Sequence, residues 1–244
     1  MLRTPGAKVF NGCSVIDPSS LPALPDLISG QRFATYLGHY NGNVKYAMRL
    51  YLWNVELTAA FWGPVSILET VIRNAIHDAL RQGRADEWWS DPRVHLMNRE
   101  RSMIDSAIAD LHRKGVSSPN AGQIVAATTF GLWVGLTDAG LPRHPLLSYE
   151  TALWQPRLIR AFPNLSGKRR KQLHRELDDV RRFRNRLAHH EPIFRAPLEQ
   201  LRDDLITIAG YVHPDAAKLV REAQRIDHVL DRKIVAISSG AGSL

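Results

Sequence analysis

Residues 44–81 read VKYAMRLYLWNVELTAAFWGPVSILETVIRNAIHDALR, and this stretch decides the fold class. Tyr46, Leu50, Trp53, Leu57 and Phe61 recur at intervals of three or four, which places them on one face of an α-helix that is buried along its length. Gly63-Pro64 interrupts the pattern. Proline has no amide hydrogen and its ring crowds the preceding turn, so a kink or break is expected there. A second helix should follow, carrying Ile67, Leu68, Val71, Ile72, Ile76 and Leu80, with Gln82-Gly83 as its stop. No convincing strand pair and no internal repeat appears elsewhere, so an all-α fold is expected.

On the N-terminal side, residues 1–28 contain Pro5, Pro18, Pro22 and Pro25 without sustained periodicity and read as a loosely ordered arm. Ser29 can cap a short helix carrying Phe33, Tyr36, Leu37 and Tyr40, which Asn41-Gly42-Asn43 ends. On the C-terminal side, Trp88-Trp89 begins a connector, and a polar helix over 98–114 presents Met103, Ile104, Ala107, Ile108 and Leu111 before Gly115 closes it. Asn120 caps an apolar segment running to Leu136, either one buried helix or two shorter pieces because Gly131 and Gly135 interrupt it. Further helices are expected near 147–162, 168–189, 196–211 and 214–234. The expected organisation is an arm (1–28), one helical domain (29–235) and a flexible tail (236–244).

The 244 residues are 44% hydrophobic and 23% charged, the composition of an ordinary globular chain. Against 24 Asp and Glu stand 32 Lys and Arg, a formal net charge of +8 that attracts polyanions without identifying one. Cys13 is the only cysteine, so an internal disulfide, a cysteine-based zinc site and a CxxC redox pair are excluded. Residues 9–16 include Asn11 and Gly12 and never become the apolar core of a signal peptide. No stretch reaches the about 18 uninterrupted apolar residues of a membrane span. A cytoplasmic protein without membrane contact is expected.

The functional signal lies in residues 168–189. Leu173, Leu177, Val180, Phe183 and Leu187 form a buried helical stripe. Around it, Lys168, Arg169, Arg170, Lys171, Arg175, Arg181, Arg182, Arg184 and Arg186 make the densest basic cluster in the chain, suited to RNA phosphates or, alternatively, to i,i+4 pairs such as Asp178 with Arg182. Its last turns read Arg184-Asn185-Arg186-Leu187-Ala188-His189-His190-Glu191-Pro192. Asn185 and His189 are four apart on one helical face, and the side chain of Arg184 reaches the same space. Imidazole exchanges protons near neutral pH, and a guanidinium matches phosphate oxygens in a permanently charged fork. Such a set suits one phosphodiester. The competing reading is structural: histidines favour a helix C-terminus through the dipole, and Asn185 satisfies a backbone group.

Arg184-Asn185-Arg186-Leu187-Ala188-His189 resembles the Arg-x4-6-His signature of HEPN domains, and with His190 it is similar to the motif of the Abi-like proteins, a bacterial family associated with abortive phage infection. Two further stretches carry the resemblance. Tyr51-Leu52-Trp53-Asn54 leads to Leu68-Glu69-Thr70-Val71-Ile72-Arg73-Asn74, and Gly122-Gln123-Ile124-Val125 leads to Phe130-Gly131-Leu132-Trp133; together they cover residues 28–229. The resemblance implies a HEPN-like helical bundle with additional helices, a homodimer, and a toxin-type endoribonuclease for phage defence, held in check by an antitoxin or regulatory protein. It implies a reaction without cofactor or metal, in which a ribose 2′-hydroxyl attacks the adjacent phosphate. His189 would be the leading acid/base residue, His190 its substitute, Arg184 the phosphate clamp and Asn185 the orienter.

Glu69, Arg73 and Asn74 resemble a second polar patch of these proteins, although an intrahelical salt bridge accounts for the first two. A non-catalytic HEPN module binding RNA, nucleotide or a protein partner is the main alternative. His77-Asp78 is the only His-Asp dipeptide that an HD-type phosphohydrolase could use, and no phosphate loop or nucleophile elbow is present. Trp88-Trp89, Trp133 and Trp154 are expected as packing residues, the usual use of an indole; the alternative is stacking on unpaired bases where one is exposed, for which Trp88-Trp89, outside the apolar stripes, is the first candidate.

Overall fold

Residues 17–240 are described by the computed structural model, and among them eleven α-helices and no strand occur. In chain order these are α1 (Leu24–Ile28), α2 (Gly30–His39), α3 (Val44–Arg81), α4 (Asn98–Arg113), α5 (Ala121–Ala127) and α6 (Phe130–Gly135). They continue with α7 (Arg170–Ala188), α8 (Leu198–Val212), α9 (Pro214–Ala223), α10 (Ile226–Asp231) and α11 (Lys233–Ser239). The all-α class therefore holds. The described residues form two compact units, one of residues 17–60, 190–196 and 225–240, the other of 61–189 and 197–224. The readings of Cys13, of residues 9–16 and of the last four residues fall outside the described part.

Of the kink or break expected at Pro64, the break does not occur: α3 runs unbroken through it. The ring deprives only the carbonyl one turn back of its partner, while Ala60, Phe61, Val65 and Leu68 are buried on both sides and hold the helix in register. By length and composition α3 could also cross a bilayer, one 18-residue window having a mean hydropathy of 1.3. Its apolar face is nonetheless used in packing, Leu50, Trp53 and Leu57 in the first unit and Leu68, Ile72, Ile76 and Leu80 in the second.

In the first unit Tyr36 packs against Phe194, ring centroids 5.3 Å apart, and meets the edge of Tyr51 at 5.4 Å. The Trp53 indole donates to the Val229 carbonyl at 2.9 Å. Asn54, buried on α3, accepts from the backbone amides of Ile193 and Phe194 at 2.8 and 3.1 Å, so one side-chain oxygen fixes a loop that has no helix of its own.

From Asp17 onward the segment expected as a loose arm is folded. Asp17 caps a short turn over Pro18–Ser20, and its carboxylate meets Arg49 at 2.5 Å. The expected tail is likewise helical as far as Ser239, where the amide of Gly240, in the left-handed region at φ 80°, bonds the Ala236 carbonyl. The single helix expected over 214–234 is α9, α10 and part of α11, broken where Gln224 turns to extended backbone.

The second unit is built on α7, whose buried residues are Leu173, Leu177, Val180, Phe183 and Leu187, the stripe read from the sequence. Phe183 meets the edge of Phe61 at 4.9 Å. Asn120 and Gln123 form a reciprocal capping box at the start of α5, and the apolar segment behind it is two short helices rather than one. Residues 147–162 form only two short turns, over Glu150–Trp154 and Leu158–Ala161.

Candidate functional site

The break between α5 and α6 positions the site. Thr128 and Thr129 are extended, so the carbonyls at the end of α5 lose their helical partners. Arg73 of α3 supplies them, its two terminal nitrogens donating to the carbonyls of Ala126 at 3.3 Å and Thr128 at 3.5 Å. The Thr128 hydroxyl donates to Val125 at 2.7 Å and accepts the Trp133 indole N–H at 2.9 Å, both buried. This pins the break while leaving its outer edge open.

Beside it lies a cavity of about 520 Å³. Glu69 and Arg73 line it from α3, Arg99 and Met103 from α4, residues 126 and 128–131 from the break, and Arg181, Arg184 and Asn185 from α7. Glu69 and Arg73 do form the intrahelical pair expected of them, at 2.8 Å. The same carboxylate also faces Arg184, its second oxygen 3.4 Å from Nε, so the pair belongs to the wall that α7 completes. Burial leaves the Nε atoms of Arg73 and Arg184 without a hydrogen-bond partner among the described residues.

The charge balance is positive at close range. Four arginines stand on the wall against one carboxylate. Glu69 is shared by Arg73 and Arg184, and Asp178 is shared by Arg181 at 2.7 Å and Arg182 at 2.8 Å. Although burial opposes ionisation of Asp178, those two guanidiniums hold its carboxyl below the usual range. Each shared carboxylate leaves one cationic charge unbalanced, which gives the cavity the field an anionic oxygen requires.

No family model, curated protein or solved structure matches the chain.

The structure brings Arg184, Asn185, Glu69 and Arg73 to one cavity and places the other expected residues elsewhere. His189 caps α7 and is exposed, its amide bonded to the Asn185 carbonyl at 2.9 Å, but it is not on the cavity wall. His190 stands in the left-handed region at φ 54° and belongs to the first unit, where it lines a separate cavity of about 300 Å³ with Arg32, Tyr51, Asn54 and Thr58. Asn74 is exposed and off the wall. Expecting the two imidazoles to act as substitutes overlooked the change of backbone hand between them.

Much of the basic cluster is engaged internally. Lys168 pairs with Glu176 at 2.5 Å and meets the Tyr211 hydroxyl, and these partners hold its ammonium pKa above the ordinary lysine value. Arg170 pairs with Glu150 at 2.6 Å and donates to the Thr137 carbonyl at 2.8 Å. Arg186 is half-buried, whereas Arg169 and Lys171 are exposed at the start of α7 and Arg182 is mostly exposed beyond its ion pair. The segment is thus partly a structural lattice and only in places a charged surface.

The four tryptophans singled out in the sequence are all core residues, as the packing reading expects. Trp88 and Trp89 are buried, Trp88 fully, with its indole N–H satisfied by donation to His77 Nδ1 at 3.2 Å. That bond, and the pair of Asp78 with Arg81 at 2.8 Å, commit both members of the only His-Asp dipeptide to structure. Among the described residues no group of three or more His, Cys, Asp or Glu is placed to hold a metal. The exposed tryptophan is instead Trp62, 38% accessible, with the Arg184 guanidinium 5.5 Å from its ring centre. Its spacing of seven residues before Glu69 and eleven before Arg73 puts it on their helical face, a signal the sequence contained. Arg99 carried no local signal.

Proposed function

We propose that the protein binds RNA by a phosphodiester in the cavity of the second unit and cleaves it there. The observation that carries this reading is that Arg184 and Asn185, the motif residues of α7, share a cavity wall with the Glu69–Arg73 pair of α3. A guanidinium held on one side by a carboxylate keeps its remaining N–H groups for phosphate oxygens, and the surplus cationic charge stabilises a phosphorane. His189, one turn beyond Asn185 and exposed, is the acid/base group nearest in sequence.

In the reaction, the 2′-hydroxyl loses its proton as its oxygen attacks the adjacent phosphorus. The bond to the 5′-oxygen breaks, and that oxygen takes a proton, leaving a 2′,3′-cyclic phosphate and a 5′-hydroxyl end. Arg184 carries the developing charge, Asn185 orients the phosphate and His189 exchanges the proton. With the resemblance to Abi-like HEPN proteins, this reading extends to a cytoplasmic, homodimeric phage-defence toxin under the control of a regulatory protein.

A second reading has its own observation. Neither His189 nor His190 lines the cavity, which favours a module that holds RNA or a nucleotide without cutting it.

The test is incubation with mixed RNA in the presence of chelator, with the new ends identified chemically. Cyclic phosphates produced by the unaltered protein and by His190→Ala, but not by His189→Ala, support the assignment. Binding without cleavage by the folded protein supports the second reading, and the absence of both rules out the site.

A further inference from the structure

Trp62 is an anomaly among six tryptophans. Trp53, Trp88, Trp89, Trp133 and Trp154 are all at most 5% accessible, whereas Trp62 leaves 38% of its surface open. An indole is the largest apolar group a chain can bury, so leaving one open forgoes stabilisation that the other five supply. Its position is specific. Trp62, Ser66, Glu69 and Arg73 follow one another at intervals of four, three and four along α3, a single stripe that descends into the cavity. Trp62 stands about 10 Å along the helix axis from Glu69 by the rise of 1.5 Å per residue. The Arg184 guanidinium, which also faces Glu69, lies against the indole, so one cation joins the aromatic surface to the cavity wall. The next residue, Gly63, presents no side chain, and a Cβ built there would meet nothing within 4 Å. The ground beside the ring is open.

Resting on the reading of the cavity as a phosphodiester site, we infer that Trp62 is the stacking platform for an unpaired base of single-stranded RNA whose adjoining phosphate enters the cavity. Every base has a π-face, so an indole beside a cationic groove binds nucleotides with little sequence preference, and Arg184 adds a second planar surface to the stack. The platform requires the base to be free of a duplex. It therefore makes the site selective for single strands, which the arginines alone would not, because they recognise only the backbone.

The experiment uses the full chain and three probes: a short 2′-O-methyl oligoadenylate, which lacks the attacking hydroxyl and cannot be cut by 2′-hydroxyl attack, the same backbone without bases, and the oligoadenylate paired with its complement. Trp62→Ala should weaken binding of the base-bearing single strand by about tenfold, while leaving the abasic and duplex probes unchanged. Trp62→Phe should recover part of the loss. Arg184→Ala should weaken all three. If Arg184→Ala loses all three but Trp62→Ala loses none, or loses them equally, the platform is overturned and the phosphate site stands. If Arg184→Ala binds every probe like the unaltered protein, or nothing binds, the phosphate site is overturned and the platform with it. A change in oligomeric state on Trp62→Ala with RNA binding intact assigns the ring to contact with a second copy and overturns the inference.

Discussion

Arg49 in the first unit and Arg184 in the second each lie beside a carboxylate, yet their surroundings differ in kind. Arg49 is 5% accessible, and all its N–H groups are engaged: two by Asp17 at 3.1 and 2.5 Å, and three by the last carbonyls of α11, Ile237 and Ser239 at 3.1 Å and Ser238. It neutralises the negative end of α11 and joins the start of the described chain to its end. Arg184 has no such closure. Its Nε lies 3.4 Å from Glu69 without making a hydrogen bond, and its side chain, 35% accessible, spans Trp62 and the cavity. An arginine whose donors are saturated by the protein holds a fold together, whereas one left unsaturated on a cavity wall retains donors for a ligand.

The strongest way to break this comparison is to delete each arginine in turn. Arg184→Ala should lower RNA cleavage by about 10²–10³-fold, the usual cost of removing one donor to a developing anion, with little change in the urea midpoint. Arg49→Ala should do the reverse, destabilising the chain by about 2–3 kcal/mol in urea unfolding while the activity per folded molecule is retained, since it strands a charged partner and orphans helix carbonyls. If the two variants behave alike, saturation does not separate structure from function.

Thr128→Val sharpens the comparison from the scaffold side. It removes the acceptor of the Trp133 indole and should cost about 1–2 kcal/mol, with a smaller loss of cleavage than Arg184→Ala because the arginines remain. Equal loss of cleavage in both variants would place the break between α5 and α6, and not the guanidinium, at the centre of the site.

The smallest effect is one of pH. The Arg49 guanidinium holds the Asp17 carboxyl well below the usual carboxylate range. A depressed carboxyl binds fewer protons folded than unfolded, so its stabilisation is complete above about pH 5 and declines as pH falls through the unfolded value, about 4, toward the folded one. Asp17→Asn removes that titration. The stability difference between the unaltered protein and Asp17→Asn should therefore shrink between about pH 5 and pH 2. A constant difference over that range would show that Asp17 contributes by shape alone.

Much of this was legible in advance, for reasons that differ by element. The stripe of α7 and the caps at Asn120 and Gly115 depend on side-chain periodicity and on bonding within a few residues, so they survive into the structure. The break that Pro64 allowed for is absent because packing on both flanks keeps the helix continuous. Trp88 and Trp89 are buried as packing residues despite their polar flank, which says nothing about a partner such as His77, eleven residues away. The pairing of His189 with His190 did not carry over, because adjacent residues share a neighbourhood only while the helix continues, and it ends at Ala188.

By itself the sequence determined the helical class, the buried faces and the concentration of Arg, Asn and His at the end of α7, because these follow from composition and from spacing within a turn or two. Only the tertiary structure decided which polar groups meet: that Glu69 and Arg73 face Arg184 and Asn185, that the histidines stand off the wall, that Lys168 and Arg170 are tied into ion pairs, and that Trp62 remains uncovered. Helices far apart in the chain choose their neighbours by how their apolar faces pack, and polar side chains meet only where that packing carries them.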